Sequence, residues 1–264
     1  MAEDFDAVLH TMTTAARAAG AVLGDAFGRL DTLTVERKKP SDFVSEADLG
    51  AERAVFDRLR ADYPRFGAHL EEGGIVEGDD PDHQWIVDPL DGTTNFLRGI
   101  PHFSVSIALA RRGRPVAGVV LNPASDEIFV AAEGRGTTLN GRPVRVAEPR
   151  PLAQCLFGTG LPFRDKTGHE AFAQELVRPM KALAGIRRFG SAALDLAWVA
   201  CGRFDAFWEH DLSPWDVAAG ILLIREAGGL VTLASGEEAD LPHRSILASG
   251  AALHDEARQL VTCR

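Results

Sequence analysis

The sequence predicts a layered α/β protein, and three observations predict it. The chain of 264 residues is 45% hydrophobic and 25% charged, enough apolar material for one large core or two tightly joined ones. Stretches with helical apolar spacing alternate with short apolar runs of strand length. Turn residues separate these elements, with no repeat, low-complexity tract or flexible linker between them. The layering expected is α/β/α, with an α+β half over residues 1–149 and an α/β half over 150–264.

The elements follow in order. Phe5, Val8, Leu9, Met12, Ala16, Ala19, Leu23 and Phe27 recur at helical spacing, so a long amphipathic helix covers residues 4–27. A second helix is expected over "SEADLGAERAVFDRLRADYP", where Ser45 and Asp48 form an S-x-x-D capping-box variant and Pro64 follows the end. Short strands are expected at 84–87, 103–110, 115–121 and 127–132, with turns at Asn122-Pro123 and Asn140-Gly141. After Pro149-Arg150-Pro151 come the strand "CLFGTGL", a helix over 167–184, the short strand "IRRFG" and a helix from Ser191. The strand "FDAFWE", the helix "PWDVAAGILLIREAG", the strands "LVTL" and "SILASG", and a last helix from about Ala252 complete the chain.

Charge and cysteine usage narrow the chemistry. A net charge of −10 argues against broad attraction to nucleic acid or an anionic membrane. An anionic substrate would then need a local cation. Cys155, Cys201 and Cys263 show no CxxC spacing, which fits a reduced, cytoplasmic setting without zinc or disulfides. The acidic start "MAEDFDAVLH" lacks the basic region of a secretory signal, and the apolar run Val217–Ile224 is too short for a bilayer.

One stretch asks for an explanation. "WIVDPLDGTTNFLRG" ends an apolar run with Asp88 and Asp91, where burial and repulsion both penalise charge. The expected strand end and turn bring both carboxylates and the Leu90 carbonyl to the C-terminal sheet edge, where α/β folds collect ligands. A helix starting at Gly92-Thr93 would offer N–H groups to a phosphate. Acid and carbonyl oxygens together suit Mg²⁺. Taken alone, the aspartates fit an Asx-turn and a helix cap equally well. Glu71 and Glu72 in "HLEEGG", Asp42 and Asp48 around "SDFVSEAD", and Asp216 in "PWDVAAG" each have a similarly plain alternative as cap or loop charge. The eight histidines form no HExxH or HxH pattern, and His69, His83, His102 and His210 are expected to be structural or at a rim.

"WIVDPLDGTTNFLRGIPHFSVSIAL" resembles the signature of the inositol monophosphatase family, as do "LEEGG" before it and "LSPWDVAAGILLIREAGG" after it. "RRFGSAALDLAWVACGRFDAFWEHD" is similar to that family's substrate-side segment, so the resemblance runs from about residue 5 to 250. It implies an α/β/α/β/α sandwich, with the metal-binding motif in 1–149 and its completion in 150–264. It further implies two to three Mg²⁺ ions. Glu71, Asp88, the Leu90 carbonyl and the Thr93 region would hold the first, and Asp88, Asp91 and Asp216 the second. Thr93, assisted by Asp48, would orient the attacking water beside Glu71, and the N–H groups of Gly92 and Thr93 would grip the phosphate. Asp91, Ala192 and Glu209 would hold the hydroxyls of the alcohol, with Asp216 alongside. The sequence departs from the pattern at Leu70, where the family usually has glycine, and Arg37, Lys38 and Lys39 compete for one basic position.

The reaction so implied is hydrolysis of a phosphate monoester, among the slowest of uncatalysed reactions. Divalent ions about 3.5–4 Å apart answer its charge problem without a protein nucleophile. Myo-inositol monophosphate is the first substrate expected. Histidinol phosphate is the runner-up, since Glu209 could equally accept hydrogen bonds from its ammonium, and other sugar or nucleotide phosphates stay open. A regulatory protein associated with RNA or transcription on the same scaffold is the alternative of a different class. The resemblance also implies a homodimer and lithium sensitivity.

Overall fold

The computed structural model describes residues 4–39, 42–162, 168–233, 235–238, 241 and 245–262. The first half runs α1 (Phe5–Phe27), β1 (Val35–Lys39), β2 (Asp42–Ser45), α2 (Glu46–Asp62), β3 (Phe66–Leu70) and β4 (Gly74–Val76). Then come β5 (Asp80–Asp91), α3 (Thr93–Leu97), β6 (Ser104–Arg111), β7 (Arg114–Asn122), β8 (Glu127–Ala132), β9 (Thr137–Leu139) and β10 (Arg142–Val144). The second half contains β11 (Leu156–Thr159), α4 (His169–Ala182), β12 (Gly185–Arg187), α5 (Ala192–Ala200) and β13 (Ala206–His210). It closes with α6 (Pro214–Glu226), β14 (Gly229–Thr232), β15 (Ser245–Gly250) and α7 (His254–Val261). Among the described helices none is long and apolar enough to cross a membrane.

Eight strands form one sheet in the order β10-β9-β8-β7-β6-β5-β3-β4, and five form another in the order β12-β11-β13-β15-β14. The alternation of side chains on β5 shows how the layers stack. Trp85 and Val87 join the core beneath α1 and α2, while Ile86 joins the core shared with α5 and α6. Both faces of the strand are therefore apolar, which is why "WIV" carries no polar residue. Burying these three side chains contributes about 1.5–3 kcal/mol each. The second sheet packs Phe207, Ile246 and Ala248 against α5 and α6, and Phe157, Trp208 and Leu247 toward the outer layer with Ala257 and Leu260 of α7. The result is an α/β/α/β/α sandwich whose middle layer, α5 and α6, touches both sheets.

Several expected elements appear with small shifts, and six strands, β1 to β4, β9 and β10, went unforeseen. α1 and α2 sit where apolar spacing placed them, and Ser45 caps α2 in a capping box with Asp48. Asn140 (φ 49°) and Gly141 (φ 75°) make the tight turn between β9 and β10. The strands β1 to β4 are too short, too charged or too glycine-rich to show a period. β5 is much longer than 84–87 and runs on through Asp91, because "PLD" remains in the ladder as a bulge rather than leaving it as a turn.

Candidate active site

Two acids three residues apart on a regular strand would face opposite ways. The bulge in β5 changes that. Asp88 pairs with Ser106 and Asp91 with Ser104, so three steps on β5 match two on β6. One extra residue restores the phase and turns both carboxylates to the α5/α6 face. Pro89, which has no N–H to give the ladder, is a natural residue for this break. Ser106 and Ser104 confirm the direction: their hydroxyls reach the Trp215 carbonyl (3.3 Å) at the start of α6 and the Ser191 hydroxyl (3.2 Å) at the start of α5.

Asp216 completes the group. It lies in the first turn of α6, and one of its oxygens accepts from the Ser213 N–H at 2.6 Å. Ligand oxygens of Asp88, Asp91 and Asp216 all lie within 4.8 Å of one another. Glu71 is delivered by β3, whose parallel pairing with β5 sets Leu70 beside Val87, and its N–H donates to the Val87 carbonyl (3.1 Å). Its carboxyl then lies beside that of Asp88, whose titration it raises. Leu70, where glycine is the familiar residue, is absorbed as a buried strand-end side chain in the first core.

The electrostatics suit a bound cation. Burial first, and then the neighbouring acids, push Glu71 up to about 8 and Asp88 well above the carboxylate range. Burial and then Asp216 push Asp91 up to about 7. No side-chain cation is among the groups that shift these three most. Like charges held this close ionise together only when a positive ion joins them. The donors are carboxylate oxygens with the Leu90 carbonyl nearby, a hard oxygen set that fits Mg²⁺ in type. The residues present therefore fit the implied ion.

Thr93 and Asp48, expected to orient a water, meet beside this group. Thr93 Oγ1 lies 3.1 Å from the Leu90 carbonyl and 3.4 Å from Asp48 Oδ1. The other Asp48 oxygen accepts from the Ser45 N–H (2.8 Å) and hydroxyl (2.6 Å). Burial raises the Asp48 carboxyl to about 6 against these hydrogen bonds, which lower it. Asp48 and Asp216 thus do cap helices, as the plainer alternative had it, and each has a second oxygen to offer. Asp88 likewise makes the Asx-turn bond, accepting from the Leu90 N–H at 3.0 Å. Capping fixes the aim of these acids rather than competing with ligation.

Gly92 precedes the five-residue α3 in the left-handed region (φ 94°). A Cβ there would stand 3.1 Å from the His102 carbonyl and 3.3 Å from the Gly190 carbonyl. The Asn95 amide explains why those walls stay put, since its Nδ2 donates to the His102 carbonyl (2.8 Å) and the Phe189 carbonyl (2.7 Å). On the alcohol side, Ala192 opens α5, and the N–H that reaches Asp91 Oδ2 is that of the next residue, Ala193, at 2.7 Å. Ser191 adds its hydroxyl to the same oxygen at 2.7 Å. Glu209, near the end of β13, packs its carboxyl where a Cβ on Gly160 would be. Burial, and then Asp195, raise it well above the carboxylate range.

Glu71, Asp88, Leu90, Asp91, Thr93, Asp48 and Asp216 are thus brought together, with Gly92, Ala192 and Glu209 on adjoining walls. The side chains of Arg37, Lys38 and Lys39 lie outside the described set. Ser191 and Ala193 also contact Asp91, and Asn95 braces the wall beside Gly92, which the sequence did not mark. Serine before "AALDLAW" was readable as a helix cap, but nothing in the sequence told which carboxylate it would also serve.

The profile of the inositol monophosphatase family matches residues 4–263. An inositol-1-monophosphatase of Rhizobium meliloti (strain 1021) is 48% identical over 255 residues, covering 97% of this chain and 96% of its own. The Nus factor SuhB of Pseudomonas aeruginosa (strain PAO1) is 46% identical over 245 residues, covering 91% of this chain and 90% of its own. Among solved structures, the extragenic suppressor protein suhB from Bartonella henselae superposes with a TM-score of 0.94 at 46% identity, over 97% of this chain and 98% of that one.

Proposed function

The chain belongs to the inositol monophosphatase family, and from that premise we propose that it hydrolyses myo-inositol monophosphate with Mg²⁺ as its resident ion. It is a phosphatase, acting on phosphate monoesters. The observation that carries the proposal is the group Asp88, Asp91 and Asp216, oxygens within 4.8 Å, beside the Thr93–Asp48 pair. Glu71, Asp88 and the Leu90 carbonyl would hold one ion, and Asp88, Asp91 and Asp216 a second. Bound there, the ions supply the positive charge that the phosphate and its leaving oxygen need, and acidify the attacking water.

The chain's own groups do the rest. Thr93 Oγ1, held between Leu90 and Asp48, orients the water toward phosphorus, and Asp48 takes a proton from this pair once ionised. With its carboxyl at about 6, that form dominates at neutral pH. The water oxygen bonds to phosphorus as the bond from phosphorus to the alcohol oxygen breaks, the leaving oxygen takes a proton from solvent, and Asp48 later returns its proton there. The N–H groups of Gly92 and Thr93 grip the phosphate. Asp91, Ala192 and Glu209 receive the alcohol's hydroxyls, and Asp216 borders them. On this reading residues 1–149 bring most of the ion ligands, and 150–264 bring Asp216 and the alcohol wall. A homodimer, Li⁺ sensitivity and a cytoplasmic setting belong to the same proposal.

Phosphate release from myo-inositol 1-phosphate and histidinol phosphate, with and without Mg²⁺, tests it. Release from the inositol ester only when Mg²⁺ is present is the expected result. No release from it, or preference for the histidinol ester, overturns the substrate assignment. A second role in transcription is favoured by one observation, the similarity to a Nus factor. Recovery of RNA polymerase or RNA with the tagged protein would support it.

A further inference from the structure

Asp195 lies one turn into α5 with its carboxyl almost wholly buried, and its Oδ1 has no hydrogen-bond partner. Facing that oxygen is His102 Nε2, 3.8 Å away, also buried and also without a partner, while Arg188, Glu209 and Asp91 are the charged groups around the carboxyl. That separation is within ion-pair reach and beyond a hydrogen bond. Orphaned buried polar atoms cost stability, and two in one place ask for a reason other than stability.

Their neighbours supply one. α5 is the helix whose first turn grips Asp91, through the Ser191 hydroxyl and the Ala193 N–H, both at 2.7 Å. His102 sits on the loop between α3 and β6, and its carbonyl forms the wall over Gly92. Its ring packs against Phe189 (5.0 Å) and Trp198 (5.1 Å), on either side of α5's first turns. Asn95 joins the same loop to the segment before α5. Asp195 and His102 therefore face each other across the seam between the phosphate wall and the helix that aims Asp91. We propose that His102 and Asp195 form a positioning pair that sets α5 against the His102 loop and so holds Asp91 at its working angle. The proposal rests on the phosphatase reading and adds to it two residues outside the ligand and substrate sets named for it. Burial supports it by drawing both groups toward neutral forms, the carboxyl up and the imidazole down, which lets them meet without an isolated charge. The pair is retained for placement, at a cost in stability.

Placement errors of about 1 Å can cost a hundredfold in rate, so the expected losses are large for residues outside the reacting centre. In the full chain, Asp195→Leu should lower kcat/KM on myo-inositol 1-phosphate about tenfold or more while Tm holds or rises. The Tm increase produced by Mg²⁺ should shrink in the same variant. Asp195→Asn, nearly isosteric and so safe to fold, should lose less rate and no stability. In the double variant with His102→Leu, kcat/KM should be no lower than in the worse single variant, since either change removes the same tie. Wild-type kcat/KM in Asp195→Leu, a rate that falls only in step with Tm, or losses that multiply in the double variant would each overturn the pair. Wild-type protein without turnover in that assay would instead remove the phosphatase reading beneath it.

Discussion

The two ends of β5 carry the same kind of residue in opposite circumstances. At its beginning Asp82 faces Arg112, which donates to both carboxylate oxygens at 3.1 and 2.9 Å. That guanidinium holds the Asp82 carboxyl below the usual range. At its end Asp88 and Asp91 face Glu71 and Asp216, and burial with those acids drives them upward. One strand thus separates an acid paired with a guanidinium from acids gathered where a cation could sit. The lesson is that acids gathered without a nearby guanidinium single out this end of β5 better than the presence of acids does.

The contrast can be broken most severely at the far end. Asp91→Asn should cut phosphate release at least about a hundredfold, because it removes an ion-facing oxygen, while circular dichroism shows the fold intact. A normal rate in that variant would remove Asp91 from the ligand set. Next in size, Mg²⁺ at a hundredfold excess over its Kd should stabilise the protein by about 2.7 kcal/mol, several degrees in Tm, and EDTA should reverse this. Identical melting curves would mean the cluster binds nothing.

A smaller effect follows from pH. Glu71, raised to about 8, and Asp91, raised to about 7, hold protons in the folded state that they lose in the unfolded one. Their contribution is full below the ordinary carboxylate range and is lost as pH rises through 7 and 8. In EDTA, Tm should therefore decline from about pH 5 to 8, and Mg²⁺ should flatten that decline. A Tm that climbs across this window in EDTA would contradict the sign. Smallest of all, Arg112→Ala should leave kcat/KM and Tm within error, since the pair it breaks is exposed and screened. A measurable loss of rate would mean that the two ends of β5 are coupled.

Much of this contrast was legible in the residues. The period of α1, the Ser45–Asp48 cap and the acids after "WIV" all depend on neighbours close in sequence, and local patterns record such neighbours. What stayed hidden depends on distant partners. Nothing near Glu71 says that β3 runs parallel to β5, and nothing near Ser191 says that it will face Asp91, a hundred positions away. The strands β1 to β4 are held by pairing rather than by composition. The bulge was hidden for another reason. Proline after aspartate usually announces a departure from a sheet, and here the sheet tolerates it.

That tolerance has a consequence for how such a site could be simplified. A chain needing only two acids on one side could space them by two and keep an unbroken ladder. The spacing of three adds a residue whose carbonyl is surplus to the sheet. Removing Pro89 would leave the acids aligned and the strand smoother, yet would draw the Leu90 carbonyl back into a regular ladder and away from Thr93 Oγ1. Comparing that deletion with the parent would weigh what a single spare backbone acceptor adds to a cage of charged ones.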